Sequence, residues 1–153
     1  MKNYKITMKK IKESAGLVII QNNKLLLEHP TNAPWKHSYS FPKGGIEKGE
    51  TYLDAAIRET HEEIGVIFDL SAISTSKEFV INYTDKHGKL YKKVYYYIVY
   101  LDDNTLPNII PDKLLQKDEV DWAGFLSKEE AKEKIFWRFN EILDFLEIIE
   151  NVK

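Results

Sequence analysis

Between Gly44 and Val66 the chain reads GGIEKGETYLDAAIRETHEEIGV, a run in which glycines, one arginine and several glutamates recur around a single predicted helix. Thr51 followed three residues later by Asp54 resembles a capping box, and Gly65 is a natural left-handed stop, so the helix should span about Tyr52 to Ile64. At 100° per residue Leu53, Ala56, Ile57, Thr60 and Ile64 share one arc, the face that packs on a core. Glu59, Glu62 and Glu63 share a second arc. Glu63 lies nearest the apolar face, Glu59 farther round, and Glu62 roughly opposite the core. Carboxylates at i,i+3 and i,i+4 destabilise a helix by a few tenths of a kcal/mol, and by more when partly desolvated. A bound divalent cation removes that penalty. Mg²⁺ suits such a place, because it takes oxygen ligands and is usually held by one or two carboxylates together with phosphate oxygens. Arg58 precedes Glu62 by four residues, so its guanidinium can fork onto a carboxylate and hold its rotamer, orienting a ligand rather than being one.

A glutamate-rich amphipathic helix with one arginine is by default a solvated face with i,i+4 ion pairs. The spacing G-x5-E-x7-R-E-x-x-E-E-x-G, followed by an aliphatic residue, argues otherwise. Seven fixed positions at roughly 6 to 7% average usage give a chance match on the order of 10⁻⁸ at any starting point.

The elements that must position this run follow from periodicity and punctuation. Glu13 to Gln21 reads as a strand, Asn22-Asn23 as a tight turn and Lys24 to Glu28 as the hairpin partner. Pro30 to Ser38 is a loop, and Tyr39 to Phe41 a short strand that delivers the chain into a glycine turn at Pro42 and Lys43. Lys77 to Tyr83 and Lys92 to Leu101 read as strands around a turn at Asp85 to Lys89. Asp102 to Lys117 is a long polar loop. Val120 to Leu126 is a last strand. Ser127 with Glu130 caps a C-terminal helix, in which Ile135, Phe139, Ile142, Leu146 and Ile149 recur at helical spacing. This order implies an α/β protein, a central mixed sheet with the glutamate helix on one face and the C-terminal helix on the other, an α/β/α sandwich over residues 1–153 as one domain.

With 153 residues, 43% of them hydrophobic and 12% aromatic, the chain has ample material for one core. It contains neither a run of 18 apolar residues nor, in MKNYKITMKKIKES, an apolar signal segment, so a cytoplasmic protein without a membrane partner is expected. The absence of cysteine excludes disulfides, thiolate metal sites and cysteine nucleophiles. A net charge of −2 offers no general attraction to nucleic acid.

The segment Gly44 to Val66 resembles the Nudix box of the Nudix hydrolases, with Thr60 standing where an aliphatic residue is usual. The flanks GLVII…NKLLLE and EVDWAGFLSKEEA resemble the family more loosely. The resemblance implies the Nudix fold and a pyrophosphohydrolase acting on a nucleoside diphosphate linked to another group. It also implies Mg²⁺, or Mn²⁺, held by Glu59, Glu62 and Glu63 with the carbonyl of Gly44. Glu62 and Glu63 are the first choice for direct ligands; Glu59 is a ligand, the general base, or both in different states. In related proteins a carboxylate before the last strand often completes the site, and here Asp118 and Glu119 are the candidates.

Hydrolysis of a pyrophosphate needs its oxygens neutralised, a water aligned and a base for that water's proton. Lys43 is a candidate phosphate contact or a solvated charge. Tyr83, Tyr95, Tyr97 and Trp35 offer rings on which a base could stack, or serve as packing. His61 and His87 are expected in packing, surface or turn roles.

SFPKGGIEKGE and KKVYYYIVYL are similar to the diadenosine tetraphosphate hydrolases, with Gly45 where those carry His. A dinucleoside polyphosphate is therefore the first substrate reading. Other nucleotide, nucleotide-sugar, diphosphoinositol or RNA 5′-triphosphate substrates come second. An RNA substrate would want a basic channel drawn from Lys5, Lys9, Lys10 and Lys12 or from Lys86, Lys89, Lys92 and Lys93. A non-enzymatic nucleotide sensor is third. The oligomeric state is left open, a homodimer included.

Overall fold

The computed structural model describes residues 10–67 and 78–151. Strand β1 (Lys12–Gln21) is buried from Ser14 onward, so both its faces are covered and ESAGLVIIQ carries a continuous apolar run rather than alternation. Asn22 and Asn23 sit at φ 53° and 59°, the left-handed pair that a two-residue hairpin turn requires. β2 (Lys24–Pro30) returns antiparallel, with Ile20 opposite Leu25.

The chain then forms β3 (Lys43–Gly45), α1 (Tyr52–Ile64), β4 (Glu78–Thr84), β5 (Leu90–Tyr100), β6 (Val120–Leu126), α2 (Lys128–Lys134) and α3 (Asn140–Asn151). The sheet order is β4-β5-β1-β2-β6, with β3 pairing β1 off that path. β1 and β5 are parallel and the other pairs antiparallel, which makes the sheet mixed as expected.

Alternation along β1 divides the core into two layers. Ala15, Leu17 and Ile19 pack with Ala55, Ala56 and Ile64 of α1. Val18 and Ile20 face the other way, toward Ala131 of α2 and Ile142, Leu143 and Leu146 of α3. The α/β/α layering is the one the sequence implied. Among the described residues no helix is long and apolar enough to cross a membrane.

Three local expectations change. Tyr39 to Phe41 is not a strand: Ser40 makes an isolated bridge to Glu28 and Tyr39 one to Ile135, while the ordered strand falls on Lys43–Gly45. β2 pairs with β1 only near Ile20 and Gln21, so the first half of the central strand is left to the glycines, and Ser14, Ala15 and Gly16 pair with Gly45, Gly44 and Lys43.

The C-terminal helix is broken in two. α2 starts in a full Ser127–Glu130 capping box but ends at Ile135, whose backbone is extended at φ −71° and ψ 145°. Tyr39 takes the freed groups, its N–H donating to the carbonyl of Lys134 and its carbonyl accepting from Phe136 N–H. The run Ile-Phe-Trp has weak helix propensity, so this pairing wins. A 3-10 turn, Trp137–Phe139, then leads into α3.

At its ends β5 also differs from the expected Lys92 to Leu101, starting at Leu90 and stopping at Tyr100, so Leu101 lies outside it. Lys77, expected to open β4, lies outside the described residues, as do Lys5 and Lys9.

Candidate active site

The site grows from the joint between β3 and α1. The turn after β3 closes on itself, Glu50 N–H donating to the carbonyl of Glu47 and Glu50 Oε1 accepting from Glu47 N–H at 2.8 Å. Thr51 caps α1 by accepting from Asp54 N–H, and Gly65 ends it at φ 70°.

Arg58 ties these pieces together. Its Nε and Nη2 fork onto Glu50 at 2.7 and 2.9 Å, Nη2 reaches the carbonyl of Gly45 at 2.8 Å, and Nη1 donates to Glu59 at 2.9 Å. Glu62 receives only Nη1, at 3.2 and 3.3 Å. The fork expected on Glu62 is thus made to Glu50, because the turn brings that carboxylate edge-on to the guanidinium. Arg58 holds the Glu50 carboxyl below the usual carboxylate range, and Glu50 in turn raises Arg58.

The three glutamates of α1 follow the order that the helical wheel gave them. Glu63 is 8% exposed, while the side chains of Glu59 and Glu62 are 18% and 47% exposed. Glu63 Oε1 accepts from Lys43 N–H at 3.1 Å. Glu59 lies across Gly44 so closely that a Cβ there would stand 2.1 Å from its carboxyl carbon, so any side chain at position 44 would displace the Glu59 carboxylate. Burial raises Glu59 against the opposing pull of Arg58.

A fifth carboxylate was not anticipated. Glu28 of β2 is 3% exposed and faces Glu63; its Oε2 is buried with no donor. Burial first, then the hydrogen-bonded Glu63 neighbour, push its carboxyl well up. Burial raises Glu63 as well. A signal was available in KLLLEHP, where a charge interrupts an otherwise apolar strand, since such residues are almost never fully buried unless paired.

A depression of about 280 Å³ is lined by Lys43, Gly44, Gly45, Glu59, Glu62, Glu63, Gln116 and Glu119. Glu119, not Asp118, faces it. The segment that carries Glu119 is latched on both sides: Gln116 N–H donates to the carbonyl of Glu63 at 2.9 Å, and Thr31 N–H to the carbonyl of Glu119 at 3.0 Å. Neither Gln116 nor its latch was foreseen.

The rings divide. Tyr97 is 7% exposed in the layer beneath α1, with its hydroxyl engaged by Glu78, so it is a packing residue and presents no face to a base. Tyr95 stacks on Tyr52 at 4.0 Å and Trp35 on His29 at 3.6 Å. Tyr83 is half-buried at the open end of the α3 face, where Arg138 lies over its ring. His61 is exposed.

The donor set suits a hard divalent cation. All its charged groups are carboxylates, one oxygen of Glu28 is orphaned, and Gly44 keeps its backbone open to the cluster. Among the described residues no three acidic or imidazole groups already converge as a coordination set. Arg58 holds Glu59 and Glu62 in its place.

A family model for the NUDIX domain matches residues 10–145, and the chain belongs to that family. The solved C. elegans Ap4A hydrolase is similar at 26% identity and a TM-score of 0.65, covering 94% of this chain and 98% of that one; its binary complex gives a TM-score of 0.70. A bifunctional NMN adenylyltransferase/ADP ribose pyrophosphatase from Francisella tularensis, solved with AMP and a Mn ion, shares the fold. There the TM-score is 0.66 at 18% identity, over 90% of this chain and 42% of that one. The m7GpppN-mRNA hydrolase of Saccharomyces cerevisiae is 32% identical over 126 residues, 78% of this chain. The chain spans only 12% of that relative's length.

Proposed function

We propose that the protein hydrolyses a pyrophosphate linkage in a nucleoside diphosphate derivative, with a dinucleoside polyphosphate such as diadenosine tetraphosphate as its first substrate. The observation that carries this is one depression lined by Glu59, Glu62, Glu63 and Glu119 with Gly44 and Lys43, with Glu28 buried behind it against Glu63. Mg²⁺, or Mn²⁺, would be held by Glu59, Glu62, Glu63 and the Gly44 carbonyl, and would supply neutralisation of the phosphate oxygens and a more acidic water. The polypeptide does the rest. Lys43 contacts a phosphate oxygen. Glu59 or Glu119 accepts the proton of the attacking water. Arg58 keeps β3 and α1 in register, so that the carboxylates meet the substrate in one geometry.

The dinucleoside reading is supported by likeness to the Ap4A hydrolase over nearly the whole of both chains. A second reading, removal of the 5′ end of RNA, is favoured by the match to the m7GpppN-mRNA hydrolase. The test is a Mg²⁺-dependent screen of diadenosine polyphosphates, nucleotide sugars, nucleoside triphosphates, diphosphoinositol phosphates and 5′-triphosphorylated or capped RNA, with products identified by mass. Fastest cleavage of diadenosine tetraphosphate to ATP and AMP is expected, and Glu63→Gln should reduce it to background. Faster decapping or triphosphate trimming would transfer the assignment to RNA. No turnover by the folded, metal-loaded protein would remove the enzyme reading altogether.

A further inference from the structure

On the α3 side of the sheet, beyond the end of that helix, a set of cations stands without acidic partners. Tyr83, Lys92 and Lys12 form one row across β4, β5 and β1, Tyr83 opposite Lys92 and Lys92 opposite Lys12. Like charges on facing strands are destabilising. Lys92 bears that cost while half-buried: desolvation, then Lys43 and Lys12, hold its ammonium below the ordinary lysine value. A cavity of about 490 Å³ opens beside the row, lined by Lys10, Lys12, Lys89 and Lys92. Its acidic lining residue, Asp85, spends one carboxylate oxygen on the backbone N–H groups of His87 and Lys89.

Arg138 completes the set from the 3-10 turn between α2 and α3. Its Cζ lies 4.7 Å from the centre of the Tyr83 ring and 4.5 Å from that of Trp137, while Lys92 Nζ lies 5.3 Å from Tyr83. Two rings lie against one guanidinium, a contact that suits its delocalised charge better than a lysine ammonium. Arg138 Nε is buried and donates to nothing. Among the described residues Lys12, Lys43, Lys92 and Arg138 make no ion pair, although Glu141 of α3 is felt by the Tyr83 ring. Lys43 alone acts on Glu28 and Glu63, and so joins this field to the carboxylate site. Unpaired cations with an unused buried donor call for an anion.

We infer that Arg138, clamped by Tyr83 and Trp137 and flanked by Lys92 and Lys12, grips a phosphate group beyond the linkage that is cleaved. The place of the cleaved linkage rests on the pyrophosphohydrolase reading; the grip itself does not.

The test is a metal-free titration of the full chain with inorganic tripolyphosphate, read by tryptophan fluorescence, with Trp137→Phe to assign the signal. Saturable binding is expected, weakened at least tenfold in Arg138→Gln and in Lys92→Gln, partly retained in Arg138→Lys, and changed less than twofold in the distant control Lys132→Gln. Should Arg138→Gln fail to fold by circular dichroism, Lys12→Gln and Lys92→Gln, on strands whose pairing does not need those side chains, still decide. Wild-type affinity in both lysine variants would overturn the inference. So would a larger, tighter response to adenosine, which carries no phosphate and would assign the rings to a base. Tripolyphosphate binding in a protein that cleaves nothing in the hydrolysis screen would end the enzyme reading and leave the grip intact.

Discussion

Glu28 carries a large electrostatic cost, a carboxyl 3% exposed and set against Glu63. In metal-free protein, burial and then Glu63 hold its carboxyl well above the ordinary carboxylate value. The folded state therefore keeps a proton that the unfolded chain releases. The contribution of Glu28 to stability is therefore fully present below the ordinary carboxylate value and is lost as pH rises through its folded-state pKa. Glu28→Gln removes the ionisable group and keeps the shape. In EDTA it should be more stable than wild type at pH 8, by about 1 kcal/mol or more, with little difference at pH 4.5; urea melts at the two pH values measure this. The same variant should lose turnover. An unchanged pH slope would mean that Glu28 is not the proton-holding group. Arg58 makes the opposite case, a cation with every donor used. Arg58→Ala should lower kcat/KM about 10- to 100-fold, the range for groups that orient ligands, and by less than Glu63→Gln does. An equal or larger loss would place Arg58 among the groups that touch substrate.

At the scale of elements, the site depends on how closely β3 passes under α1. Gly44 sits directly beneath the Glu59 carboxylate, and only the mobile end of that side chain stands in the way of a Cβ. Gly44→Ala should therefore fold, with a Tm within a few degrees of wild type, while Glu59 is displaced and activity drops about 100-fold. Retained activity would separate Glu59 from the chemistry. The break between α2 and α3 is also an element-scale event. Tyr39 intercepts the backbone at Lys134 and Phe136, and by turning the chain there it brings Arg138 onto Tyr83. Periodicity cannot reveal such a break, because Ile135, Phe139, Ile142 and Leu146 are all buried in either arrangement.

For the whole molecule, β1 separates two cores and thereby separates stability from chemistry. Ile142 of α3 is fully buried on the face away from α1. Ile142→Ala should cost about 2–5 kcal/mol in urea unfolding, with kcat at low temperature within a factor of two of wild type. A large loss of kcat in folded protein would mean that the layers are coupled.

What the sequence determined by itself is the local: the capped helix, the arc of Glu59, Glu62 and Glu63 and their order of burial, the Asn22-Asn23 hairpin and the layer order. These depend on neighbours within a few residues or on a period along one element, which a one-dimensional pattern records. The tertiary structure decided the rest. It brought Glu28 from β2 and Glu119 from before β6 to the box, chose Glu50 as the partner of Arg58, sent Tyr97 into the core, and set Arg138 beside Lys92. Each of these joins residues far apart in the chain, where the free energy lies in burial and unpaired charge across a shared space, and no spacing along the chain encodes that space.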